Sequence, residues 1–209
     1  MTTADGCSVE VYTLLPTAGE AQIVHDAIPA GAEVLDLGCG TGRVAHELMA
    51  LGHPVTAVDD SPEMLAHVRA HKVCSRIEDL RLDRRFEAVL LASHLVSAPD
   101  SAPVLAAVAR HLAPGGRAII EWYPPEWFDT VEDGGGRLGE VEISLSGITR
   151  DADLLSATVR YAARGAAWEQ HFTARRLDQP GLDALLAGAG LVFGRFLSPD
   201  HTWFSAGSD

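Results

Sequence analysis

Four short apolar runs, 33–37, 55–58, 87–92 and 117–121, alternate with segments of helical period, and this order limits the fold more than any other feature. Each run is too short for a helix and apolar on both faces, as expected of parallel strands covered from two sides. A weaker run covers 73–77. Between them, Val44, Leu48 and Leu51 recur at helical spacing, and Ser61-Pro62 supplies an N-cap and a first-turn proline for a second helix. Ser101 opens a third helix, with Leu105, Val108 and Leu112 on one face and Pro114-Gly115-Gly116 as its stop. Before the series, 17–28 reads as an amphipathic helix with Ile23, Val24, Ala27 and Ile28 inward. Repeated strand–helix–strand units of this kind build an open parallel sheet with helices on both faces.

The pattern changes after Glu121. Segments 139–149, 154–163 and 167–175 read as strands joined by Arg150-Asp151-Ala152-Asp153 and Arg164-Gly165. Turns this short connect only antiparallel neighbours, so a β-meander is appended to the core. A helix at 180–187, ended by Gly188 and Gly190, and strands at 191–197 and 202–206 follow. One domain of 209 residues is expected: a helical cap at 1–30, a parallel core at 31–125, the meander at 138–176 and a closing helix and strand pair at 177–209.

The formal net charge is −13, and the longest basic clusters are Arg84-Arg85 and Arg175-Arg176. Nucleic-acid binders need a broad cationic face, so a small-molecule substrate is favoured over DNA or RNA. No apolar stretch reaches the ~18 residues of a membrane span. The N-terminal MTTADGCSVE has neither the basic nor the apolar region of a secretory signal, which points to the cytoplasm. Cys7, Cys39 and Cys74 are too scattered for a disulfide framework and read as reduced thiols.

The first strand runs into Val34-Leu35-Asp36-Leu37-Gly38-Cys39-Gly40-Thr41-Gly42-Arg43. A strand ending in a glycine turn that opens a helix aims backbone N–H groups at a ligand. A phosphate loop is excluded because GxxxxGK[ST] does not occur. The dinucleotide fingerprint GxGxxG is a closer rival, but the glycines here fall at alternate positions and Asp36 stands just before them. A carboxylate there would repel a pyrophosphate and suits a ligand carrying an ammonium group.

This stretch resembles motif I of the class I S-adenosylmethionine-dependent methyltransferases. Further segments agree in order: Ala57-Val58-Asp59-Asp60-Ser61-Pro62-Glu63-Met64-Leu65 resembles the second-strand motif, Phe86-Glu87-Ala88-Val89-Leu90-Leu91 the fourth strand, and Leu112-Ala113-Pro114-Gly115-Gly116-Arg117 the turn into the fifth. The resemblance implies a Rossmann-like doubly wound α/β sheet with an antiparallel final strand, the meander lying over the active site. It implies S-adenosyl-L-methionine as cofactor and S-adenosyl-L-homocysteine as product. Gly38, Cys39 and Gly40 would leave room for the cofactor's amino-acid part, whose ammonium and carboxylate Asp36 and Arg43 would meet directly or through water. Asp59 would hold the ribose hydroxyls, its plain alternative being a partner for the helix that Ser61 opens. Asp60 and Met64 would border the adenine. Tyr12, Ala92 and Ser93 complete the expected cofactor shell. One departure concerns the adenine amino group: where the family often places an acid after its third strand, this chain has Arg76, which cannot accept. Glu78, Asp79 or the backbone at Ile77 could substitute.

Methyl transfer from a sulfonium leaves the protein mainly to align the nucleophile, and a base is needed only for a weakly acidic one. His94, just beyond the fourth strand, is the catalytic candidate, with a substrate-orienting or hydrogen-bonded packing role as its alternative. Glu20 and His25, together with Glu121, Trp122, Tyr123 and Trp127, are the candidates for the substrate pocket. The run Glu121-Trp122-Tyr123-Pro124-Pro125-Glu126-Trp127-Phe128 differs from the NPPY motif of amino-group methyltransferases by following the fifth strand instead of the fourth. His67 and His71 have the spacing of zinc ligands but no third ligand nearby, so no metal is expected. The expected activity is methylation of an O or N atom on a small apolar or aromatic metabolite by a monomer or homodimer, without nucleic-acid or membrane partners. An NAD-type oxidoreductase and a non-methylating S-adenosylmethionine binder are the alternatives.

Overall fold

The computed structural model describes residues 8–208 together with Thr3 and Gly6. Cys7 lies outside the described residues; Cys39 is a buried free thiol and Cys74 an exposed one. The elements in chain order are α1 (Val9–Tyr12), α2 (Glu20–Ala27), β1 (Val34–Leu37), α3 (Arg43–Ala50), β2 (Val55–Asp59), α4 (Pro62–Leu65), β3 (His71–Cys74), β4 (Phe86–Leu91), α5 (Ala102–His111), β5 (Leu112–Glu121) and α6 (Pro125–Thr130). They continue with β6 (Gly134–Leu138), β7 (Val141–Asp151), β8 (Leu154–Ala163), β9 (Ala166–Arg175), α7 (Gln179–Gly188), β10 (Leu191–Phe196) and β11 (Trp203–Ser208).

Seven strands form one sheet in the order β10-β11-β5-β4-β1-β2-β3. Strands β1 to β5 pair in parallel, while β11 runs antiparallel to both β5 and β10. The apolar runs are buried on both faces because alternate residues enter two separate cores. Leu35, Leu37, Val89, Leu91 and Ile120 meet Leu105 and Val108 of α5 and Leu182 and Leu186 of α7. Val34, Ala88, Leu90 and Ile119 meet Ala21 and Val24 of α2 and Val44 and Leu48 of α3. This is the doubly wound arrangement, with both faces of a parallel sheet covered.

The cap chemistry at α4 follows the sequence, since Ser61 Oγ accepts from the Met64 N–H at 3.1 Å. Several boundaries differ. Leu51 falls just past α3 and is 38% exposed, so it is not part of the inward face. Leu112 begins β5 and does not end the preceding helix; the strand runs through Pro114-Gly115-Gly116 with a register shift against β4. His67 and His71 share no helix face, because α4 stops at Leu65 and His71 opens β3. The α1 and α6 helices and strand β6 were not anticipated. Strand β6 begins Gly134-Gly135-Gly136, a composition that argues against a strand.

The second sheet has the order β6-β7-β8-β9 and is antiparallel throughout. Its inner face packs at two places. Val141, Ala163, Ile143, Tyr161 and Trp168 meet Val11, Tyr12, Leu14 and Leu15, and Leu155, Ala157, Leu145 and Phe172 meet Trp127, Phe128 and Val131. The meander therefore stands on the segment after α1 at one end and on α6 at the other.

Gly116 occupies the tightest backbone crossing in the parallel sheet. A Cβ there would lie 2.9 Å from the carbonyl oxygens of both Ala113 and Glu87. Because neither neighbour is a side chain that can rotate away, Gly116→Ala is expected to destabilise the protein by about 1–3 kcal/mol. Urea unfolding should register this as a lower midpoint at an unchanged slope.

Candidate active site

Parallel pairing places the carboxyl ends of β1 to β5 along one edge, where open α/β sheets bind ligands. The glycine turn, Asp59, the 75–78 turn, the 93–94 turn and Glu121 all lie there. The cleft above them has two lobes. The first, about 370 Å³, is lined by Gly38, Gly40, Asp59, Asp60, Met64, Ile77 and Glu78 among others. The second, about 480 Å³, is lined by Arg43, His94, Glu121 and Tyr123 below and by Ile143, Val159, Tyr161 and Phe172 from the meander above. Tyr12, Ser93, Leu95, Ala98 and Gln170 line both, so the lobes share a wall.

The glycine turn is held from the neighbouring strand. The Gly40 N–H donates to Asp59 Oδ2 at 2.8 Å, and the Ser61 N–H donates to Asp59 Oδ1 at 3.0 Å. Asp59 thus braces both the turn and the helix after it, and it lines the first lobe. Gly38, Gly40 and Gly42 all have positive φ. At Gly38 a Cβ would sit 2.9 Å from Leu95 Cδ1. Asp36 lies beneath the turn, 3% exposed, with Oδ2 buried and unpartnered. Burial first, and then the nearby Asp59 charge, push its carboxyl up to about 7, with Arg43 pulling the other way. Such a group lacks a cation.

At the turn after β3, Arg76 and Glu78 form an ion pair at 3.0 Å, and Ile77 and Glu78 line the first lobe. Arg43 lines the second lobe, where it is paired to Glu20 and also donates to the Pro16 carbonyl at 3.2 Å. Glu20 stands behind Arg43: burial works against its charge, but the Arg43 bond and backbone donors hold its carboxyl below the usual range.

In the second lobe, Ser93 and His94 adopt consecutive left-handed conformations, φ 57° and 56°. Two such residues in succession are uncommon away from glycine and turn neighbouring amides toward one point. The Ser93 N–H donates to Glu121 Oε2 at 2.6 Å, and the His94 backbone adds a second stabilising contact. His94 Nε2 is 3.5 Å from Glu121 Oε1, and its ring stacks on Tyr123 at 3.8 Å, with Trp127 stacked at 3.8 Å on the other face of Tyr123. Burial pushes the Glu121 carboxyl up to about 7 despite the Ser93 bond. Burial also pushes His94 down to about 4, with the Trp122 backbone opposing, so the imidazole is neutral near pH 7. The Tyr123 hydroxyl is raised by burial and by the Glu121 charge.

Five of the sequence candidates fall elsewhere. His25 bonds to His53 at 2.9 Å, and His53 in turn reaches the Ala32 carbonyl at 3.0 Å; this chain ties α2 to the loop ahead of β2 and leaves the cleft. Trp122 is 2% exposed, donates to the His201 carbonyl at 2.6 Å and packs on Phe196 and Phe204, because alternation in β5 turns it away from Glu121. Trp127 supports Tyr123 from behind. Cys39 and Ala92 pack in the core under α2 and α3, and the Cys39 thiol is pushed up chiefly by burial.

The meander contributions were missed, yet alternation carries them. Gln170, Phe172 and Ala174 line the second lobe at every second position of β9, and Val159 and Tyr161 do the same on β8. Period-two reading of each strand isolates these sets; what it lacks is which face turns inward.

A family model described as a methyltransferase domain matches residues 34–116. Among curated proteins, the chain is 34% identical over 128 residues to a ubiquinone biosynthesis O-methyltransferase of Xanthomonas axonopodis pv. citri (strain 306), covering 56% of this chain and 53% of that protein. The chain thus spans about half the length of the curated relatives it matches. Among solved structures, an amino pentose methyltransferase of Micromonospora echinaspora, bound to S-adenosylmethionine, superposes with a TM-score of 0.70 at 26% identity, covering 96% of this chain and 92% of that one. A methyltransferase of Streptomyces caelestis has the same fold at a TM-score of 0.77 and 22% identity, covering 98% and 96%.

Two substitutions test the first lobe. Gly40→Val places a β-branched residue at φ +54° against the ligand and should weaken binding of S-adenosylhomocysteine at least about 100-fold by calorimetry. Asp36→Asn removes an ionised, unpartnered carboxylate. The folded pKa lies above the unfolded one, so this penalty is absent at low pH and grows as pH rises from the unfolded value toward about 7. At about pH 8 the variant should therefore melt roughly 5 °C higher than the parent without ligand, yet gain far less from S-adenosylhomocysteine.

Proposed function

We propose that this chain, a class I S-adenosylmethionine-dependent methyltransferase by its fold and its matched methyltransferase domain, transfers a methyl group to an oxygen or nitrogen atom of a small molecule held beneath the meander. One observation carries the reading: the lobe built on the glycine turn and Asp59 shares a wall with a second lobe that ends on His94 and Glu121. A donor in one lobe and an acceptor in the other can meet across Ser93 and Leu95.

The residues of the first lobe suit the cofactor. The buried, unpartnered Asp36 oxygen suits the ammonium of its amino-acid part, and the positive-φ glycines admit it without side-chain interference. The Asp59 carboxylate on the lobe wall suits the ribose hydroxyls, and Ile77, Met64 and Glu78 border the adenine. When bound, the sulfonium supplies an activated methyl group. The protein aligns the acceptor and excludes water, which the roof of Ile143, Val159 and Phe172 does over the second lobe. Those apolar residues, with Tyr123 and Tyr161, favour an acceptor with an apolar or aromatic body. The similar proteins include both an O-methyltransferase and an amino pentose methyltransferase, so both acceptor atoms stay within the reading.

A dinucleotide oxidoreductase fits less well, because the Asp36 carboxylate beneath the turn opposes a pyrophosphate. Thermal-shift titration separates the two: S-adenosylhomocysteine at about 100 times its Kd should stabilise the protein by about 2.7 kcal/mol, and NADH should not. Incubating the protein with methyl-labelled S-adenosylmethionine and a metabolite extract should then yield a labelled product by mass spectrometry. Stabilisation by NADH alone, or cofactor binding with no labelled product from any extract, would overturn the proposal.

A further inference from the structure

We infer that the acceptor is an amine, and that Glu121 is the group that binds its ammonium form and takes its proton. The inference rests on the proposed methyl transfer and specifies its second lobe.

The geometry begins with charge. The ionisable groups around Glu121 are Glu20, Arg43, His94, Tyr123 and Tyr161. Arg43 is engaged by Glu20, and the two cancel. His94 stays neutral in its buried stack, and burial holds the Tyr123 hydroxyl protonated. The balance at the floor of the lobe is one carboxylate without a cation. A buried carboxylate in this state is costly unless a positive group joins it, and an ammonium supplies both the charge and the N–H donors. An uncharged hydroxyl supplies only one donor.

The second element is position. The strained Ser93-His94 turn directs its backbone at Glu121, with the Ser93 N–H on Oε2 at 2.6 Å. The side chain nearest Oε1 is His94 Nε2 at a loose 3.5 Å, and Glu121 lines the second lobe, so this carboxylate is placed to meet a ligand there. Ser93 also lines the first lobe, which sets Glu121 immediately behind the shared wall where donor and acceptor meet. Non-glycine residues pay strain for left-handed backbone, and such strain collects where a functional group must be aimed.

The step balances as follows. The acceptor R–NH3+ gives one proton to Oε1, leaving R–NH2 and a neutral Glu121 carboxyl. The freed nitrogen lone pair forms the C–N bond while the C–S bond breaks, its electron pair passing to sulfur. The product is an N-methylammonium and a thioether, and Glu121 returns its proton to water when the lobe opens. An acid of ordinary pKa would hold the ammonium without accepting its proton. The raised value at Glu121 brings it nearer to the amine. His94 is a positioning residue here, stacked on Tyr123 and bordering Oε1.

The test uses the full-length protein, methyl-labelled S-adenosylmethionine and a panel of amino sugars, arylalkylamines and alkylamines, each with its hydroxyl counterpart. Label should enter amines and not the matched alcohols or phenols. On the best amine, Glu121→Gln should leave S-adenosylhomocysteine affinity within about threefold and lower turnover at pH 7 by about 100-fold or more. That deficit should shrink as pH approaches the amine's own pKa, where free base no longer needs a proton acceptor. Glu121→Asp should recover part of the rate and controls for a folding defect in the amide. Titrating the same amine into the S-adenosylhomocysteine complex should show weaker binding to Glu121→Gln at pH 7. Labelled hydroxyl products without labelled amines, or a Glu121→Gln deficit that stays constant with pH, would overturn the inference and leave methyl transfer intact. Cofactor binding with no label in any amine would overturn it as well. Failure to bind S-adenosylhomocysteine at all would reject the underlying methyltransferase reading instead.

Discussion

Parallel pairing of β1 to β5 is the constraint on which everything at the cleft depends. Each crossover carries the chain back to the opposite edge, through a helix everywhere except between β3 and β4, so every strand ends on the same edge of the sheet. The glycine turn, Asp59, the Arg76–Glu78 turn, the Ser93-His94 turn and Glu121 are therefore neighbours although they are spread over most of the core sequence. Cross-strand bonds then set their details. The Gly40 N–H on Asp59 joins the ends of β1 and β2, and the Ser93 N–H on Glu121 joins the ends of β4 and β5. In both cases a carboxylate from one strand fixes the backbone of a turn leaving its neighbour.

The same edge gathers acids that oppose folding. Asp36 is wholly desolvated and near Asp59, and Glu121 is desolvated near Glu20. A protein optimised only for stability would place asparagine or leucine at such sites. Arg43 offsets part of the charge, but Glu20 takes up that offset. The remaining imbalance is what the proposed cofactor ammonium and amine acceptor would meet, one at Asp36 and one at Glu121.

Much of the core was legible because its signals are local. Short apolar runs, Ser61-Pro62 and the glycine spacing each specify structure over a few residues, and their order along the chain specifies the winding. What failed was long-range. Alternation in β5 exposes Glu121 to the cleft and sends Trp122 to the opposite face, but a run of aromatics after a strand does not announce where the strand stops alternating. His25 was assigned to the cleft from its helix, whereas its partner His53 lies beyond α3 and could be found only by packing. Strand β6 forms from glycines because β7 offers it an edge, a tertiary effect that overrides local preference. The net charge of −13 and the short basic clusters argued against a nucleic-acid partner without pointing to any particular small molecule.

The two lobes differ in how they are built, and on the proposed reading this difference would separate cofactor from acceptor recognition. The first is made of turn backbone and the carboxylates that brace it, so its shape is fixed by the parallel sheet itself. The second takes its floor from the ends of β4 and β5 and its roof from β7, β8 and β9, whose apolar clusters on the core are built around the α1 segment and α6. Val159, Tyr161 and Phe172 of that roof face the cavity, Tyr161 also packing on the α1 segment and Phe172 on α6. Their side chains can change the shape offered to an acceptor while the Asp59 brace and the glycine turn stay in place. Gln170 on β9 and Tyr12 at the end of α1 line both lobes together with Ser93, Leu95 and Ala98, so the wall between the lobes takes side chains from the roof and from the core alike.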